Sequence, residues 1–160
     1  MKLKGGGVDI SQTAIQKAKK NASFRGLSSD HFVVLDADVQ KLPFEKDHFD
    51  FVVAEACLDS MPLNVAQNYI SELKRVCSGV IYASLIGADD SMQADEFEVK
   101  TSHELGTYQT VFNEEKIERL FGSRISDFSY IQSISYMDAQ SKKVSGKRFY
   151  CVIDAGKVND

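Results

Sequence analysis

The sequence predicts an α/β protein with a mostly parallel sheet and a C-terminal antiparallel hairpin. Three observations carry this expectation. Residues 31–35, 49–54 and 80–85 are unbroken β-prone runs, the pattern of strands covered on both faces rather than the alternation of half-solvated ones. Stretches with helical spacing of apolar residues lie between them, at residues 11–23 and Leu63–Val76. The last third ends in two long β segments, residues 126–137 and 147–155, joined by the turn-rich stretch 140–146.

Taken in order, Val8-Asp9-Ile10 follows Gly5-Gly6-Gly7 and reads as the end of a short strand. Ser11 is a good N-cap for a helix whose inner positions are Ala14, Ile15, Ala18 and Ala22. Residues 24–29 form a loop before the second strand, and a polar loop containing Pro43 precedes the third. Ala66, Ile70, Leu73 and Val76 mark the amphipathic face of the next helix, with Gly79 expected to end it. Residues 87–107 are polar and acidic with no clear period, long for a connection inside a domain, and are expected to form an insert or lid. Asn113 then caps a helix with Glu114 and Glu115 in its first turn and Ile117, Leu120 and Phe121 facing inward.

At 160 residues, with 43% hydrophobic and 26% charged residues, the chain has the size and composition of one globular domain, residues 1–160. The net charge of −4 is unevenly distributed. Residues 1–25 carry six basic and one acidic side chain, and residues 26–99 carry four and fourteen. An acidic middle third is the wrong sign for tracking phosphates, so nucleic acid is not expected as a partner. The basic start (Lys17, Lys19, Lys20, Arg25) reads as a solvated helix face. No apolar run approaches the ~18 residues of a membrane span, and no signal-peptide core follows Met1, so the expectation is a cytoplasmic protein. Cys57, Cys77 and Cys151 are odd in number and widely spaced, with no CxxC, and are expected to be buried or half-buried thiols.

Three short stretches carry a chemical signal. Gly7-Val8-Asp9-Ile10-Ser11 places an acid at the C-terminal end of a strand just before a helix. A carboxylate there can accept both hydroxyls of a ribose, or simply complement the helix dipole. Asp36-Ala37-Asp38-Val39-Gln40-Lys41-Leu42-Pro43-Phe44 closes the next strand, and Phe49-Asp50-Phe51-Val52-Val53-Ala54-Glu55 forms the third. Together these stretches, continued by residues 72–85, resemble the class I S-adenosylmethionine-dependent methyltransferases, with a Rossmann-like sheet. The branch that methylates small molecules, including quinone-biosynthesis enzymes, is the nearest in pattern. Fainter similarity resumes at residues 108–121.

The resemblance implies S-adenosylmethionine as cofactor. Asp9 would hold the ribose diol and Ile10 would pack on the adenine. Asp38 would reach the adenine amino group, with the Val39 backbone N–H directed to the ring, while Glu55 would lie toward the methionine end. Asp36 stands two residues too early for the adenine role and would be a loop carboxylate or an alternative ligand. Asp50, Leu42, Pro43 and Phe44 would be structural. A nucleotide-dependent dehydrogenase also uses a strand-end acid for ribose, but it leaves the Leu42-Pro43-Phe44 and Phe49-Asp50 pattern unexplained.

One departure from the family is expected to matter. Its glycine-rich loop follows a first strand that would be central in the order 3-2-1-4-5-7-6, and nothing of that form precedes Gly7, whose glycines enter a strand. The sequence therefore reads as N-terminally incomplete, missing the first βα unit, with cofactor binding weakened or lost in the chain alone. Pairing across the gap, a strand donated by a second copy in a homodimer, or origin as a piece of a longer protein would each repair the sheet. The alternative function is a non-catalytic remnant serving as a protein-interaction or oligomerisation module.

Methyl transfer from a sulfonium is an in-line displacement, so a base is required only when the acceptor must lose a proton. Candidates for that role are Asp59, which follows Leu58 after the third strand, and His103 and Tyr108 in the insert. An idle, exposed His103 and a Tyr108 that merely anchors the insert with Phe112 are the alternatives, and His31 and His48 are expected to face solvent. A small-molecule acceptor is expected. The Leu58-Asp59 pair is similar to one found in protein-lysine methyltransferases, which keeps a protein substrate open. No metal cluster is visible.

Overall fold

In the computed structural model, residues 5–28, 32–35, 41–88, 95–100, 106–122, 125–137 and 143–156 are described, with side chains omitted from 125 to 146. The chain divides into two units, Met1–Val39 and Gln40–Asp160.

The first unit is a β-α-β element. Strand β1 (Gly7–Asp9) and strand β2 (Phe32–Val34) pair in parallel, with Gly7 opposite Phe32 and Asp9 opposite Val34. Helix α1 (Gln12–Phe24) connects them, and the Ser11 side chain accepts the Ala14 N–H as the sequence predicts. Its buried residues are Ile15 and Ala22, seven apart and so on one face. The helix ends because Gly26 adopts φ +68°, a conformation that glycine reaches without a Cβ clash. This turn lets Leu27 N–H reach the Ala22 carbonyl at 2.9 Å and Gly26 N–H the Ser23 carbonyl at 3.0 Å, satisfying two of the orphan carbonyls.

The second unit is built on a four-stranded sheet of order β3-β4-β8-β7. Strands β3 (Phe49–Glu55) and β4 (Cys77–Gly87) are parallel, and helix α2 (Leu63–Val76) forms their crossover. Strands β7 (Ile125–Met137) and β8 (Lys143–Asp154) form the expected antiparallel hairpin, with β8 inserted beside β4. Helix α3 (Glu114–Phe121) is capped by Asn113, whose side chain accepts the Lys116 N–H. Alternation sets the two faces of the sheet. Ala54, Ile81, Ala83, Leu85, Phe149, Cys151 and Ile153 point into a core shared with Leu63, Ala66 and Ile70 of α2 and Ile117, Leu120 and Phe121 of α3.

Two expectations change. Strand β3 is not covered on both faces: Phe51 and Val53 are 57% and 58% exposed. The β-rich run at residues 49–54 therefore signals strand propensity without two-sided burial. Gly79 does not terminate α2, which passes directly into β4 at Cys77. Gly79 instead sits in a bulge, where Ser78 and Gly79 lie between the rungs Phe49–Cys77 and Phe51–Val80. A Cβ there would lie 2.3 Å from the Asp50 carbonyl oxygen, so only glycine fits. The described part of the 87–107 insert is also tied down. Strand β5 (Glu96–Glu98) pairs antiparallel with β6 (Tyr108–Thr110), and Val99 is buried. Pro62 has no side-chain acceptor for the start of α2, and Glu96 supplies one by accepting the Leu63 N–H at 3.3 Å. The same carboxylate lies 3.7 Å from Lys116 on α3.

In the Leu42-Pro43-Phe44 loop Leu42 packs inward while Pro43 is exposed, and the loop is held by α2. Leu42 is buried, and its N–H donates to Glu72 at 2.8 Å. Arg75 donates to the Leu42 and Phe44 carbonyls at 2.9 and 2.8 Å while its fork grips Glu72. That grip holds the Glu72 carboxyl below the usual carboxylate range.

Candidate functional site

In open α/β sheets, ligands meet the carboxyl ends of the parallel strands. In the first unit that rim is formed by Asp9, Ile10 and the exit of β2. Asp9 is exposed, and one carboxylate oxygen accepts the Ser11 N–H at 2.7 Å, a local turn that orients the side chain at the mouth of α1. Its other oxygen accepts no hydrogen bond from a described residue. Ile10 beside it is 62% exposed, unusual for a large aliphatic side chain. The register Asp9–Val34, with the Leu35 N–H donating to the Asp9 carbonyl at 2.9 Å, brings the chain out of β2 at the same rim. Asp36, Asp38 and Val39 lie outside the described residues, as do His31 and His103.

In the second unit, a polar cluster occupies the carboxyl ends of β3 and β4. Glu55 ends β3 and is exposed. The next residue, Ala56, has φ +49°, a left-handed conformation uncommon for a residue with a Cβ. Its N–H is thereby directed to the Ser84 hydroxyl at 3.1 Å. Asp59 is 1% exposed. Its carboxylate accepts the Ile86 N–H at 2.8 Å and lies 4.0 Å from the Arg148 guanidinium. Arg148 also donates to Ser84 at 3.2 Å, which closes a loop of contacts from β3 through β4 to β8. The Asp59 backbone is fixed as well: its carbonyl accepts the Thr110 N–H and the Gln109 side-chain amide, both at 2.8 Å. The Thr110 hydroxyl donates to the Met61 carbonyl at 2.6 Å.

Burial dominates the electrostatics here. Desolvation pushes the Asp59 carboxyl up, against the Ile86 hydrogen bond and Arg148, which favour its charged form. Desolvation likewise raises the Tyr82 hydroxyl, with Glu55 adding to the effect. Tyr82 and Tyr150 lie on the sheet face opposite the core, their rings stacked 6.0 Å apart at 23°.

Raising the Asp59 pKa means that the folded chain holds this proton more tightly than the unfolded chain does. Stability from Asp59 is therefore fully present below its ordinary value of 3.8 and is lost as pH rises through the folded value. Asp59→Asn keeps an acceptor for Ile86 and cannot titrate. Its stability relative to the wild type is expected to rise with pH across that window in urea titrations. Parallel profiles for the two proteins would show that Asp59 does not titrate under strain.

Among the other sequence candidates, Tyr108 is half-buried in β6, and Phe112 is fully buried in the core, the anchoring alternative. His48 is exposed and its ring contacts those of Phe44 and Phe49. Cys57 is exposed rather than buried, because it lies in the loop after β3. Cys77 and Cys151 are buried, and desolvation pushes the Cys151 thiol up to about 12. Among the described residues, no group of three His, Cys, Asp or Glu side chains is arranged to hold a metal, and no helix is long and apolar enough to cross a membrane. Arg148 and Ser84 were not singled out from the sequence. The alternation of Arg148, Tyr150 and Val152 against Phe149, Cys151 and Ile153 was a signal that Arg148 leaves the core face, but the strand it would meet was not visible.

Residues 5–80 match a family model described as a methyltransferase domain. An uncharacterized protein of Haemophilus influenzae is 39% identical over 70 residues, which are 44% of this chain, and the chain spans 28% of that relative's length. A solved S-adenosylmethionine-dependent methyltransferase from Methanosarcina mazei is similar in structure over 93% of this chain and 80% of its own, with TM-score 0.70 and 21% identity. Another is a Burkholderia thailandensis 1,6-didemethyltoxoflavin-N1-methyltransferase solved with S-adenosylhomocysteine, with TM-score 0.60 and 12% identity over 94% of this chain and 60% of its own. Within each sheet the strands keep the order expected from that family, 3-2 in the first unit and 4-5-7-6 in the second. The chain thus matches a methyltransferase-domain model at residues 5–80 and shares its fold with solved S-adenosylmethionine-dependent methyltransferases.

Proposed function

We propose that the protein is an S-adenosylmethionine-dependent methyltransferase acting on a small-molecule acceptor. The observation that carries the reading is Asp9: an exposed carboxylate with one oxygen unengaged by described residues, at the exit of a parallel strand, beside the exposed Ile10. An adenosine fits that chemistry, since its ribose hydroxyls need an acceptor and its base needs an apolar surface. Asp9 would hold the ribose, Ile10 would pack on the adenine, and Asp38 with the Val39 N–H would read its edge. Glu55 would face the methionine end. The cofactor, when bound, supplies a methyl group on an already charged leaving group, so the protein's own tasks are positioning and exclusion of water.

In this reading Asp59 acts through its surroundings. Its carboxylate fixes the end of β4 at Ile86 and orients Arg148. It is too deeply enclosed to meet an acceptor without movement of the loop after β3. Calorimetric titration of the folded chain with S-adenosylhomocysteine tests the assignment. Binding is expected, and Asp9→Ala should weaken it by about a hundredfold or more, the value of two hydrogen bonds to a charged acceptor. Absence of heat with the folded wild type, or equal affinity for the variant, would remove the basis of the assignment.

A further inference from the structure

Among the described residues of the second unit, Arg148 is engaged on one side only. It lies on β8 opposite Ile86, at the carboxyl rim of β3 and β4, with its side chain 20% exposed. One terminal nitrogen donates to Ser84 and approaches Asp59, both of which are buried beneath it. Its remaining N–H groups meet no acceptor among the described residues. A guanidinium is a planar fork of five donors, and bracing one corner on buried groups fixes the direction of the rest.

The surroundings add shape. Tyr150, two residues along β8 and on the same face as Arg148, stacks with Tyr82. Arg148 and Glu55 act with opposite sign on the Tyr82 hydroxyl, so an anion is favoured on the β8 side of this face and disfavoured toward β3. Resting on the methyltransferase reading, we infer that Arg148 is the anchor for a ligand carboxylate at this rim, with the stacked Tyr82 and Tyr150 rings as the flat surface beside it. Two ligands of such an enzyme bring a carboxylate: an aromatic-acid acceptor, and the amino-acid end of the cofactor.

NMR titration of the full chain separates the sources. Benzoate serves as the acceptor-like probe and benzyl alcohol as its uncharged counterpart. S-Adenosylhomocysteine is compared with 5′-methylthioadenosine, which lacks the amino-acid end. The variant is Arg148→Lys, which keeps a cation beside Asp59 and therefore the fold, but loses the planar fork. Benzoate is expected to shift the Tyr82 and Tyr150 resonances while benzyl alcohol does not, and Arg148→Lys should weaken benzoate at least about tenfold. If instead the variant weakens S-adenosylhomocysteine but not 5′-methylthioadenosine, the anchored carboxylate is the cofactor's. The inference is overturned if the variant leaves both benzoate and S-adenosylhomocysteine unchanged, or if benzoate binds no better than the alcohol and the cofactor arm is flat. Silence of both nucleoside probes in the wild type would refute the methyltransferase reading instead, and the benzoate result would stand apart from it.

Discussion

Phe112→Ala is expected to lower folding stability by about 3–5 kcal/mol, the usual range for emptying a fully buried aromatic site. Phe112 is 0% exposed and belongs to the core shared by the sheet, α2 and α3. Its backbone is equally committed: its N–H donates to the Ile86 carbonyl and its carbonyl accepts the Ala88 N–H, both near the end of β4. The ring therefore fixes the segment after β6 against the strand whose end Asp59 holds. Loss of the ring should leave a cavity that the surrounding strands cannot close, because their ladders fix the spacing. Urea unfolding of the variant against the wild type measures the difference. A loss under about 1 kcal/mol would mean that the site collapses or that the core is less closely packed than the burial indicates.

The second large effect is expected at Gly79. A Cβ built there falls 2.3 Å from the carbonyl oxygen of Asp50, and the obstacle is backbone in a paired strand. Gly79→Ala must open the bulge between β3 and β4, at a cost of about 1–3 kcal/mol or more. Gly87 makes a useful contrast, since its added Cβ would meet the Phe149 ring rather than a main-chain atom. Gly5→Ala, with nothing within 4 Å, is the control and should be neutral. Thermal melts that place Gly79→Ala level with Gly5→Ala would show that the bulge can relax without loss of pairing.

The two substitutions also show where the sequence was legible. Ser11 and Asn113 were readable as caps, because a short polar side chain beside a helix start has a local job that needs no tertiary partner. The boundaries of α2, Leu63 to Val76, followed from apolar spacing alone. Gly79 was misplaced because a glycine after a helix and a glycine in a bulge look the same until the opposing strand is known. The exposure of Phe51 and Val53 was hidden for the same reason: a β-rich run reports strand propensity, and burial depends on what covers the strand.

For the site, Asp9 and Ile10 were legible as candidates because their placement at a strand exit before a helix is a relation within five residues of chain. The Asp59, Ser84 and Arg148 cluster was not, since its members are separated by 25 and 64 positions and meet only through the β4–β8 ladder. Local periodicity and backbone preference were enough to reveal the α/β class, the helix starts and the strand-end acid. Which face of the sheet is packed, the capping of α2 by Glu96 and the bracing of Arg148 on a buried Asp59 emerge only from the folded chain. Those depend on registers between distant segments, where a slip of one residue would turn each side chain to the opposite face.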